Sequence, residues 1–157
     1  MARWITTLTL TGLVAGCGSS DSNSNGNPDT APITATVNGS AFLGNASGIA
    51  TRVEGVVNIS EFNAAKTQEI LLTVHANGPG TYSFASAGVG IAEFETMSET
   101  SAPQWETGFN GGTGSITFTT LDASGASGTF SFTGAAVPGT GATGTAAVTN
   151  GKFNVTF

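Results

Sequence analysis

Basic charge is almost missing from this chain. Four lysines and arginines stand against ten acidic residues, a net charge of −6. With no basic run there is no footprint for a phosphate backbone, so nucleic acid is excluded as a partner. A single cysteine, Cys17, excludes an internal disulfide. A single histidine, His75, excludes a histidine-rich metal centre, and no metal or cofactor is implied. Long apolar runs are missing as well: the uncharged stretch Trp4 to Val14 covers eleven residues, against about 20 for a membrane-spanning helix. No serine lies in a G-x-S-x-G setting. The glycine-rich "GFNGGTGS" at Gly108 to Ser115 lacks the lysine of a phosphate-binding loop and leads into a strand rather than a helix.

What the chain does have is glycine, 23 residues of it, together with ten phenylalanines and only 9% charged residues. That mix suits short strands and tight turns in one domain. "GTFSFTG" sets Phe130 and Phe132 on one face and Thr129, Ser131 and Thr133 on the other, the alternation of a half-buried strand. "GKFNVTF" repeats it with Phe153, Val155 and Phe157, "TYSF" with Tyr82 and Phe84, and "SITF" with Ile116 and Phe118. Over Ala64 to Asn77 helix formers precede alternating Ile70, Leu72 and Val74, which predicts a strand from Gln68 to His75, with a helix as the alternative. Asn38 with Gly39, and Asn150 with Gly151, predict two-residue hairpin turns. Asn77 to Gly80 and Ala123 to Gly128 predict reversals, and "GAAVPGTGATGTAA" from Gly134 a long loop. The expected fold is all-β, an antiparallel β-barrel or β-sandwich of about 8–11 short strands, mostly meander-connected.

The first 16 residues carry Arg3, then the apolar stretch, then small residues, the three regions of an export signal. Val14, Ala15, Gly16 and Cys17 resemble the lipobox of bacterial lipoproteins, with Val14 where leucine is usual. The resemblance implies cleavage between Gly16 and Cys17 and lipidation of the Cys17 thiol, leaving residue 17 as the mature amino terminus. Two or three acyl chains, at about 0.8 kcal/mol per buried methylene, anchor stably where one would be marginal. Gly18 stands where an aspartate would favour the inner membrane, so the expected address is the cell envelope, the outer membrane if there are two. Residues 17–30 form a polar linker, "GSSDSNSNGNPDT" after the cysteine, with a coil reach of about 20 Å. Residues 31–157 are the all-β body.

That body resembles an uncharacterised family of small β-rich bacterial lipoproteins through "ITATVNGSAF", "GPGTYSF", "GSITFTTLDASGASGTFSFTG" and "VTNGKFNVTF". The family implies a fold and a location without a substrate, and marks Phe42 as a core anchor. For chemistry, Glu93, Glu95 and Glu99 form the densest acidic stretch. On a strand, Glu93 and Glu95 point the same way about 7 Å apart, compatible with a calcium pair or a glycosidase-like dyad and equally with a solvated face. "SAPQWETGF" holds Trp105 near Phe109. An aromatic there serves either a glycan- or protein-binding surface or a plug at one end of the body. The leading expectation is a lipid-anchored interaction or binding module with the loop from Ser98 to Gly114 as its contact surface, Trp105, Phe109, Glu93 and Glu95 as its candidate binding residues, and an envelope protein or glycan as partner. The alternatives are a barrel carrying a small apolar ligand and an envelope hydrolase using His75 or the glutamate pair.

Overall fold

A computed structural model describes residues 31–84, 89–108 and 111–157. Cys17, Gly16 and Phe109 lie outside the described residues. Strands follow one another along the chain: β1 (Ile33–Val37), β2 (Ser40–Leu43), β3 (Ile49–Val53), β4 (Val56–Phe62), β5 (Gln68–His75), β6 (Gly80–Ser83), β7 (Gly90–Thr96), β8 (Gln104–Glu106), β9 (Thr113–Leu121), β10 (Gly125–Ala136) and β11 (Thr145–Thr156). None of the described residues is helical. β5 occupies the span that alternation assigns to a strand, because Ile70, Leu72 and Val74 all reach the core from one face.

All strands belong to one antiparallel sheet curled into a half-barrel. Its path runs β2-β1-β11-β10-β8-β7-β5-β4-β3, and β9 and β6 branch from β10. The branch arises from strand length. β10 has 12 residues, enough for two partners in tandem on one edge: β9 from Ala126 to Thr133, then β8 at Ala135 and Ala136.

Turn chemistry explains the connections. Asn38 and Gly39 take φ of 48° and 85° between paired Val37 and Ser40, the left-handed pair whose twist matches a hairpin. Glu54 and Gly55 do the same between β3 and β4, at φ of 50° and 82°.

Three sequence expectations are corrected. Asn150 and Gly151 do not turn the chain; β11 runs straight through them. Three steps of β11, Gly151 to Val148, face two of β10, Phe130 to Phe132, and the same extra residue faces β1 between Thr34 and Thr36. This is a β-bulge, and Asn150 supplies its left-handed residue at φ 53°. At Ala123 to Gly128 the reversal is confined to the start: Asp122 Oδ1 accepts N–H groups of Ser124 and Gly125, and Gly125 already belongs to β10. Gly134 to Ala136 are likewise strand, so the loop begins at Val137.

Aromatic rings fill the interior. Tyr82 meets Phe118 edge-on with centroids 5.9 Å apart, and Phe118 meets Phe153 at 5.4 Å. Phe153 meets Phe130 at 6.4 Å, and Phe132 meets Phe84 at 6.3 Å. One chain of rings thereby joins β6, β9, β11 and β10. Phe42, the expected anchor, is 1% exposed.

Candidate functional site

Alternation in β5 and β7 buries Ile70, Leu72, Ala92 and Phe94 and turns Glu69, Glu93 and Glu95 to the opposite, outer face. Antiparallel register then sets Glu69 against Glu95, and Glu93 against Glu106 of β8. Four carboxylates of three neighbouring strands therefore share one patch. Directly opposed like charges on a sheet repel, and the pattern of partners reflects it. Gln104 donates from Nε2 to Glu95 Oε2 at 3.3 Å, and Ser60 donates from Oγ to Glu69. Glu93 lies at the centre of the patch. Burial first, and then the charges of Glu95, Glu106 and Glu69, hold its pKa above the usual 4.5.

The rest of this face is apolar or neutral. Across the strands, Ile49 of β3 stands in line with Ser60, Leu71, Glu93 and Glu106. Among the described residues, Ile49, Val53 and Ile91 are the exposed large hydrophobics, at 68%, 64% and 44%. An acidic field beside an apolar edge can bind cationic and amphipathic groups. Among the described residues no group of three or more His, Cys, Asp or Glu is arranged to hold a metal ion.

Trp105 is turned the other way. Its half-buried ring stacks on Phe94 with centroids 5.8 Å apart, and Nε1–H donates to the Thr143 carbonyl at 3.1 Å. The β8 ring packs against the core, and its bond ties β8 to the β10–β11 loop. His75 ends β5, exposed, beside Gly55 of the β3–β4 turn. It is four residues from Leu71, the partner of Glu93, or about 13 Å along the strand, so histidine and glutamates do not converge. Glu99 sits in the exposed β7–β8 connection, apart from the patch.

Glu61 escaped the sequence reading. It follows Val57 and Ile59 at the inward positions of β4 and is only 3% exposed. Its Oε1 accepts N–H groups of Ser47 at 3.2 Å, Gly48 at 3.1 Å and Phe62 at 3.2 Å. Burial raises its pKa above 4.5, and the backbone donors oppose that rise. The signal was legible as a charge placed where alternation demands an apolar side chain.

A family model described as a domain of unknown function (DUF6252) matches residues 29–155. No curated protein and no solved structure matches the chain.

Proposed function

We propose, from the premise that the chain belongs to the DUF6252 family, that it is a lipid-anchored β-domain of the bacterial cell envelope that works by binding a protein or glycan partner. The reading is carried by where the side chains go. Phenylalanines occupy the interior, while the outer face of β5, β7 and β8 keeps Glu69, Glu93, Glu95 and Glu106 together at a cost in repulsion. A charge cluster that destabilises its own sheet is best accounted for by something it meets outside. That favours an external contact surface over an internal apolar carrier. Cys17 holds the domain to the membrane, and the linker sets it just off the surface.

Two measurements test this. Palmitate labelling of the native bacterium should mark the chain and lose the mark in Cys17→Ser; an unlabelled wild type refutes the anchor. A photo-crosslinking side chain at Thr73, on the outer face of β5, should trap a discrete partner in intact cells. The same probe at Thr129 of β10 should trap none. Equal yields at both positions, or none at either, would sink the contact surface.

A further inference from the structure

β2 and β3 are consecutive in the chain yet stand at opposite ends of the sheet path. Residues 44–48 between them form a strap across the seam. At its start Gly44 donates its N–H to the Ile33 carbonyl of β1 at 2.8 Å and bridges Asn63 just beyond β4. Asn45 donates its N–H to the Phe62 carbonyl at 3.0 Å. The remainder of the strap is tied by side chains: the Gly48 N–H donates to Glu61 Oε1 at 3.1 Å, the Ser47 N–H is shared between that oxygen at 3.2 Å and Asn45 Oδ1 at 3.0 Å, and Asn45 Nδ2 donates to the Asn63 carbonyl at 3.1 Å.

Close approach is built in at both ends. A Cβ on Gly48 would lie 1.9 Å from the Ser60 carbonyl oxygen, and one on Gly44 would lie 2.5 Å from Glu61 Cγ. Glycine is thus required for closure and is also the residue whose backbone rotates most freely. The crest is exposed, with Ala46 in the left-handed region at φ 61°.

Behind the strap lies a cleft of about 300 Å³. Ala46, Gly48 and Ala50, Glu61, and Asn154 and Thr156 at the end of β11 are among the residues that line it. Among the described residues β3 has a partner strand on its β4 side only, so its other edge faces this cleft.

We propose that residues 44–48 are a hinged lid on the cleft between β3 and β11, with the Glu61 carboxylate as its latch and Gly44 and Gly48 as its hinges. Local opening in proteins draws on segments with exposed backbone and few apolar contacts, and the strap meets both conditions at its crest, Ala46 and Ser47. Opening uncovers the free edge of β3 without disturbing the aromatic interior. It does not depend on the acidic outer face or on lipidation.

Hydrogen exchange on the full chain tests the lid. In the wild type the amides of Ser47, Gly48 and Phe62 should exchange through one shared opening, well before those of Leu72 and Val148. Glu61→Ala should speed the Gly48 and Phe62 amides at least about tenfold, the Ser47 amide less because Asn45 Oδ1 still accepts from it, and leave Leu72 and Val148 unchanged. Glu61→Gln, which retains an acceptor oxygen, should stay near the wild type. Unchanged protection of Gly48 in Glu61→Ala overturns the latch. If Glu61→Ala does not fold, the wild-type comparison decides alone: latch amides that open only with the core overturn the lid.

Discussion

Glu93 shows how one side chain couples this fold to pH. Its pKa is raised in the folded chain by burial and by Glu95, Glu106 and Glu69, so the folded form holds a proton more readily than the unfolded form does. The resulting stability is complete below the ordinary value of 4.5 and is lost as pH rises through the raised folded value. Asp122 works in the opposite sense. Bonds from the Ser124 hydroxyl and N–H, and from the Gly125 N–H, lower its pKa below 3.8, so its contribution is present above that value and lost as pH falls through the lowered one. Glu93→Gln should accordingly stabilise the protein at pH 7, on the scale of roughly 0.2–1 kcal/mol for a relieved cross-strand pair. The gain should shrink toward zero near pH 4, as read from urea midpoints at both pH values. At this scale the sequence was half informative. Alternation placed Glu93 and Glu95 on one face, but Glu69 and Glu106 joined them only through the register of β7 with β5 and with β8.

β11 shows why elements were harder to bound than to find. Asn followed by Gly permits left-handed backbone equally in a hairpin turn and in a bulge, and local chemistry does not separate the two. Pairing decided the matter: β11 is held on both edges, by β10 and β1, so the extra residue is accommodated in place. Gly151 is the constrained partner. A Cβ there would lie 2.6 Å from the Phe130 carbonyl oxygen and 2.7 Å from its ring. Gly151→Ala should therefore destabilise the domain by about 1–3 kcal/mol, the usual cost of overpacking, measured by denaturant unfolding. Asn150→Gly, which keeps the left-handed conformation open, should remain within about 0.5 kcal/mol of the wild type. The Glu54 and Gly55 hairpin was missed for a related reason. Glutamate is not a usual left-handed residue, and the pairing of Val53 with Val56 imposes that conformation on it.

At the scale of the whole molecule, stability resides in the ring chain that joins the branch to the main path. Phe118, 2% exposed, touches both Tyr82 of β6 and Phe153 of β11. Phe118→Ala should cost about 3–5 kcal/mol in denaturant unfolding, with the β6 and β9 amides losing protection first. Arg52 makes a second, lighter connection across the open side: it donates to the carbonyls of Asp122 at 3.2 Å and Asn77 at 3.4 Å, linking β3 to two turns of the branch. The sequence alone determined the all-β class, the inward set of Ile, Leu, Val and Phe and the Asn38 turn, because each depends on residues a few positions apart. Only the tertiary structure decided that the sheet is a half-barrel, that Trp105 packs inward and that Glu61 ties the seam. Those outcomes depend on which strands meet, and antiparallel pairing brings together residues whose separation along the chain carries no local signal.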